Sequence, residues 1–248
     1  MNKIIAANWK MHGNNNFVSD YFEFFKKNLK NKCNNEIIIF PSYLHLDKAN
    51  IFKKKYNSFK LGAQSCHFNN KIAQTSSISA DMLSDIGCDY VLVGHSEWRN
   101  NNDEKTISHI LQNVLENNMV PIYCVGENLS EKENSKTESV IETQLKNIID
   151  NSDLFNNKIV IAYEPVWAIG SGLTPEISVI SFIHSYIKSK LLQKLPSLQE
   201  KDIMVLYGGS VNLKNTKEIL KTNNVDGVLI GGASINIEEF TNICNEKL

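Results

Sequence analysis

Eight short apolar runs, spaced at intervals of roughly thirty residues, constrain this chain more than any other feature. They read KIIAAN (3–8), EIIIFP (36–41), FKLGAQ (59–64), YVLVGH (90–95), VPIYCVG (120–126), KIVIAYE (158–164), IMVLYGG (203–209) and DGVLIGG (226–232). Ile and Val dominate, and polar residues mostly do not alternate with apolar ones. A strand that is apolar at successive positions is buried on both faces, as in a parallel sheet covered by helices. Helical patterns fill the gaps. Residues 16–30 place Phe17, Tyr21, Phe24, Phe25 and Leu29 on one stripe, and 104–118 do the same with Ile107, Ile110, Leu111, Val114 and Leu115. Further helices are expected over 43–55, 79–86, 137–150, 174–192, 213–222 and 236–246, with Thr174 as an N-cap and Pro175 at the first helical position. Eight alternations in 248 residues predict an α/β fold, a single (β/α)8 barrel domain spanning 1–248. A doubly wound open sheet calls for a G-x-G-x-x-G turn after the first strand, and NWKMHG does not supply it.

Charge narrows the function classes. Lys+Arg is 26 and Asp+Glu is 27, a net charge of −1, so the basic excess of a nucleic-acid binder is missing. No window approaches the roughly 20 apolar residues of a membrane span. The first residues, MNKIIAANWKMHG, lack the apolar core of a signal peptide. Cys33, Cys66, Cys88, Cys124 and Cys244 are odd in number and form no CxxC, which fits reduced thiols and a cytoplasmic location. Cys124, on the fifth strand, reads as a packing residue. The six histidines show no HxH or HExxH spacing, so neither a metal nor another cofactor is expected. Arg99 is the only arginine, every other strong base being lysine. A position that resists drift to lysine suits a planar guanidinium in a buried or interfacial ion pair. Phosphate recognition must then rest on backbone N–H groups and lysine.

In a barrel of this type, function gathers at the C-terminal ends of the strands. Reading those ends gives Asn8 and Lys10 after the first strand, His95 and Glu97 after the fourth, and Glu164 after the sixth. Ser210 follows the seventh, and Gly231-Gly232 the eighth. Each has an ordinary structural reading: a capping Asn, a solvated Lys, a hydrogen-bonded His, a salt-bridged Glu, glycines at turns. Together they bring a base, an electrophile, a cation and glycine-rich anion nests to one rim. Glycines after strands seven and eight suit a phosphate. Lys10 suits a dianion or a developing enolate, and Glu164 suits proton abstraction once water is excluded. After Glu164 comes PVWAIGSG (165–172), an apolar loop tipped with glycine where polar turn residues are usual.

AANWKMHG, VLVGHSEWR, CVGENLSEKE, AYEPVWAIGSG, LYGGSVN and DGVLIGGAS, in this order from residue 4 to about 235, resemble the motifs of the triosephosphate isomerase family, the eponymous TIM barrel. The resemblance implies metal-free interconversion of dihydroxyacetone phosphate and D-glyceraldehyde 3-phosphate through an enediolate, in glycolysis and gluconeogenesis. Glu164 would carry the proton and a neutral His95 would polarise the carbonyl, a division of labour known for this enzyme. Asn8 and Lys10 would assist, and Glu97 would serve as a structural partner or a proton relay. Gly170, Ser210, Gly231 and Gly232 would grip the phosphate with Asn8 and Lys10. PVWAIGSG would be a closing lid, with Trp167 paired to Glu127 in one lid state and Ser210 and Tyr207 holding the lid shut. The resemblance also implies a homodimer with no nucleic-acid or membrane partner.

The chain departs from the family pattern in places. After GSG it runs directly to LTP, about two residues shorter than usual, which leaves less chain to reach Tyr207. In the third βα loop, IAQTSSIS (72–79) keeps Thr75 but carries Ser76 and Ser77 where Gly and Glu are usual. In the family this loop enters a partner subunit, and its Glu pairs with an arginine. Trp98 stands where the first of two arginines is usual, and Lys132 replaces another. The competing readings are another phosphate-binding barrel enzyme, such as a sugar-phosphate epimerase or a lyase, and an inactive phospholigand-binding barrel.

Overall fold

The computed structural model describes residues 2–30, 35–70, 73–155 and 158–246. Cys33, Ile72 and the Asn-rich stretch at 156–157 lie outside them. All eight apolar runs form strands: β1 (Ile4–Asn8), β2 (Glu36–Phe40), β3 (Lys60–Ala63), β4 (Tyr90–Val93), β5 (Val120–Val125), β6 (Ile159–Tyr163), β7 (Ile203–Tyr207) and β8 (Gly227–Ile230). They close in sequence order into a parallel barrel, β8 returning to β1 with Gly227 opposite Ile4. The helices are α1 (Asn15–Asn28), α2 (Leu46–Tyr56), α3 (Ala80–Asp85), α4 (Ser96–Arg99), α5 (Glu104–Glu116), α6 (Leu129–Glu133), α7 (Thr137–Asp150), α8 (Ile177–Lys194), α9 (Thr216–Lys221) and α10 (Ile237–Cys244).

The period of two explains why the strands need no polar positions. Ile4, Ala6, Ile38, Phe40, Leu92 and Leu206 point into the barrel and pack on one another. Ile5, Ala7, Ile37, Ile39 and Val91 point outward against the helices. Both sets leave water, each large side chain contributing about 2 kcal/mol. Phe40 fills the interior opposite Gly62, where a Cβ would lie 2.1 Å from its ring. Cys124 belongs to this inner layer, and burial pushes its thiol well above the ordinary range, as suits a packing residue.

Three local expectations need correction. On α1 the buried side chains are Val18, Tyr21, Phe22 and Phe25. Phe22, not Phe24, completes the stripe, stacking on Phe59 at 4.7 Å. The helix that follows the lid begins at Ile177, with Glu176 in the cap position and no side-chain cap. Thr174 is used elsewhere: its hydroxyl donates to the Ser210 carbonyl at 3.4 Å and accepts from Asn215 at 3.3 Å. That ties the end of the lid to the β7 loop and moves the helix start past Pro175. The short helices α4 and α6 fall in stretches too brief to show a period.

Away from the rim, His184 on α8 is fully buried beside the Lys188–Asp226 ion pair (2.8 Å), with Lys3 nearby. Burial, assisted by the two lysines against hydrogen bonds to backbone, pulls its pKa down to about 3. Above the unfolded-state value of about 6.5 both states are neutral and pH has no effect through this group. Below it the unfolded chain binds a proton that the native protein refuses. His184 therefore costs about 1.4 kcal/mol of stability for each pH unit of acidification below that value, until the native group titrates. Denaturant unfolding of wild type and His184→Gln between pH 7 and 4.5 checks this: the stability difference between them shifts in favour of the variant as pH falls.

Candidate active site

β1 ends at Asn8, whose side-chain oxygen accepts from the Lys10 backbone N–H at 3.0 Å. That turn holds Lys10 at a φ of +51°, strain of the kind tolerated where function needs it. Its ammonium pairs with Glu97 at 2.5 Å. Burial pushes the Glu97 carboxyl up, but the hydrogen bond and charge of Lys10 outweigh it and hold the group below its ordinary value.

β4 ends at a left-handed Gly94, and His95 follows as the N-cap of α4. Its Nδ1 accepts from the Glu97 backbone N–H at 3.3 Å. An accepting Nδ1 places the ring proton on Nε2, which lies 3.2 Å from Oε1 of Glu164. Glu164, at the end of β6, is only 2% exposed. Its Oε2 accepts from the Ser96 backbone N–H at 3.0 Å, so both carboxylate oxygens are engaged. Neighbouring glycines permit this crowding. A Cβ on Gly126 would lie 1.8 Å from the Glu164 carbonyl oxygen, and one on Gly208 would lie 2.9 Å from its Cγ.

A cavity of about 380 Å³ opens over these groups and is lined by Asn8, Lys10, His95, Glu164, Gly170, Ser210, Gly231 and Gly232. The structure thus brings together every proposed site residue except Glu97, which reaches the cavity through Lys10. The Lys10 stem runs beside Gly231, whose Cβ would sit 3.5 Å from its Cε, placing the cation next to the glycine turn. Asn212, Ala233 and Glu239 also line the cavity and were not foreseen. Glu239 accepts from the Leu213 backbone N–H at 3.0 Å. In sequence it reads only as an acid in the first turn of a helix. A recess of about 700 Å³ between α8 and α9 collects Lys214, Lys217 and Lys221 with one carboxylate, Glu218.

Residues 3–247 match the family model described as Triosephosphate isomerase. The chain belongs to the triosephosphate isomerase family. It is 38% identical to the triosephosphate isomerase of Francisella tularensis subsp. mediasiatica (strain FSC147), over 99% of this chain and 97% of that one. With the enzyme of the same name from Aquifex aeolicus (strain VF5) the identity is 40%, over 98% of each. Membership makes this chain an intramolecular aldose–ketose isomerase.

Departures from the triosephosphate isomerase pattern can now be located. The Trp167 indole donates to Glu127 at 2.8 Å, and Lys132 lies 3.4 Å from the centre of its ring system. Burial raises the Glu127 carboxyl, while the Trp167 and Tyr163 hydrogen bonds and Lys132 pull it back. Ser210 donates to the Ala168 carbonyl at 2.7 Å, so that lid contact is made. Tyr207 makes no such contact, in keeping with the shortened segment after Gly172: its hydroxyl is buried with no hydrogen-bond partner among the described residues. The segment after Gly172 leads instead into the Thr174 contact with Ser210. At the lid tip, Gly170 and Gly172 have positive φ and nothing within 4 Å of a built Cβ, so the tip stands clear of the body. In the third loop Ser76 keeps a positive φ of +70°, the conformation suited to the glycine it replaces.

Proposed function

We propose that this chain interconverts D-glyceraldehyde 3-phosphate and dihydroxyacetone phosphate through an enediolate, without a metal, in glycolysis and gluconeogenesis. The observation that carries the reading is the Glu164–His95 contact at the wall of a cavity whose other side is Lys10 and two glycine turns. Glu164 shuttles the proton between the two carbons. His95 then turns its Nε2–H to the substrate oxygen, with Lys10 and Asn8 balancing the developing negative charge. Glu97 orients Lys10. Gly170, Ser210, Gly231 and Gly232 hold the phosphate with backbone and hydroxyl donors. The lid, 165–172, covers the intermediate and excludes water, which protects it from losing phosphate.

The reading extends to assembly. Met11 (95% exposed) and Leu44 (90%) leave apolar side chains in water, with Met82 and Phe68 less so. The first two lie on the βα loops after β1 and β2, at the rim, and suit a second copy of this chain. We read the protein as one domain over 1–248, a homodimer acting in the cytoplasm, with no nucleic-acid or membrane partner. Among the described residues no helix is long and apolar enough to cross a membrane.

The test is turnover of glyceraldehyde 3-phosphate by the purified chain across protein concentration. Fast turnover with specific activity that falls on dilution is expected, because the second subunit supports the rim. Absence of turnover at every concentration overturns the isomerase reading. Turnover unchanged down to concentrations where sedimentation shows monomer overturns the need for a dimer.

A further inference from the structure

Arg99 closes a gap that the barrel's own ladder leaves beneath the reacting pair. The pairing of β4 with β5 ends at Val93 opposite Tyr123, one step short of Gly94 and Cys124. Those two residues stand directly below the site. Gly94 precedes His95, and Cys124 precedes Val125, whose carbonyl accepts from the Glu164 backbone N–H at 2.7 Å. Where the next ladder step would be, the guanidinium bridges the strands: Nε donates to the Gly94 carbonyl at 3.2 Å and Nη2 to the Cys124 carbonyl at 2.8 Å. Nη1 binds Glu104, and the fork lies over the Tyr123 ring at 5.6 Å. The side chain is 13% exposed. Gly94 is cut to this seat, since a Cβ there would lie 2.6 Å from Nη2. A cavity of about 110 Å³ lined by Ser96, Arg99, Cys124 and Glu164 occupies the space behind the base, so packing alone does not set the spacing there.

We propose that Arg99 is a positioning residue for the isomerisation, setting the separation of the β4 end that carries His95 from the β5 edge to which the Glu164 backbone is bonded at Val125. The inference rests on the assignment of Glu164 and His95 as the reacting pair. Only a planar fork reaches two carbonyls on different strands and a carboxylate at once; an ammonium is a point charge with a different donor geometry. That explains why the chain's single arginine stands at this position while lysine serves elsewhere.

The experiment compares wild type, Arg99→Lys, Arg99→Ala and Glu164→Gln in turnover, phosphoglycolate affinity and thermal unfolding. In Arg99→Lys, kcat falls about tenfold to a hundredfold, the scale of a misplacement near 1 Å, while KM and phosphoglycolate affinity stay within about threefold. In Arg99→Ala, millimolar guanidinium restores part of kcat, and ammonium at equal ionic strength does not. Unchanged kcat in Arg99→Lys, with a lowered melting temperature, overturns the proposal and leaves a structural ion pair. A parallel loss of kcat and phosphoglycolate affinity in Arg99→Lys overturns it too, since the whole rim has then collapsed. Glu164→Gln keeps the two readings apart: inactive Glu164→Gln beside fully active Arg99→Lys refutes only the role of Arg99. Active Glu164→Gln refutes the reacting pair.

Discussion

Glu164→Gln lowers kcat by about a thousandfold or more while phosphoglycolate binding stays within about threefold. The carboxylate sits at the cavity wall with Oε1 on His95 and Oε2 on Ser96. A carboxamide has the same shape and no basic oxygen, so it cannot take a proton from carbon. Geometry adds a second effect. The Ser96 N–H requires an acceptor, which directs the amide oxygen there and leaves the amide NH2 facing His95 Nε2–H. Two donors at that distance repel, and the imidazole turns away or changes tautomer. The proposed phosphate end, lined by Lys10, Ser210, Gly231 and Gly232, lies apart from the substituted atom, so phosphoglycolate is expected to retain its main anchor. Glu164→Asp is the companion measurement. It keeps the charge but withdraws it by one methylene, and retains turnover well above Glu164→Gln. Turnover in Glu164→Gln near the wild-type rate would remove Glu164 from the chemistry.

Most of this site was legible because its residues lie at strand ends, and strand ends are readable when the strands themselves are. The eight apolar runs mark them within a residue or two, since two buried faces leave no room for polar residues within a run. Asn8, His95, Glu164 and the glycine pairs stand where each run stops. The family resemblance supplied the roles, which residue types alone left open. What escaped the sequence escaped for identifiable reasons. Phe22 replaces Phe24 on the α1 stripe because Phe59 and Phe52, from another part of the chain, fix which face is inward. Thr174 and Pro175 look like a helix start, but two long-range hydrogen bonds spend Thr174 on the β7 loop. Glu239 comes from α10, after the last strand, and no spacing connects it to the base. Arg99 was legible as a buried or interfacial ion pair, but its place at the missing β4–β5 ladder step depends on strand register.

Lys10→Met lowers kcat/KM by about a thousandfold, through both kcat and substrate affinity, with little change in stability. The two halves of the loss have separate causes. The Lys10 stem runs beside Gly231 in the cavity that His95 and Glu164 also line, so in the proposed reaction one charge serves the phosphate dianion and the growing enediolate. Loss of a contact made equally in ground and transition states raises KM, and loss of one that strengthens in the transition state lowers kcat. Stability is spared because methionine keeps most of the stem against Gly231 and meets the same left-handed φ. Glu97, 59% exposed at its side chain, finds water when its partner is gone. Its carboxyl then titrates closer to the ordinary value, since the Lys10 pair that lowered it is lost. Glu97→Gln, measured alongside, separates the cation from the pair. If Glu97 only orients Lys10, its loss is a small fraction of the Lys10→Met loss and shows mainly in KM. A kcat loss in Glu97→Gln as large as in Lys10→Met would instead assign Glu97 to the proton path. The competing outcome for Lys10 itself is equally clear: a Lys10→Met variant that loses affinity but keeps kcat confines the cation to phosphate binding and leaves His95 and Asn8 to stabilise the enediolate alone.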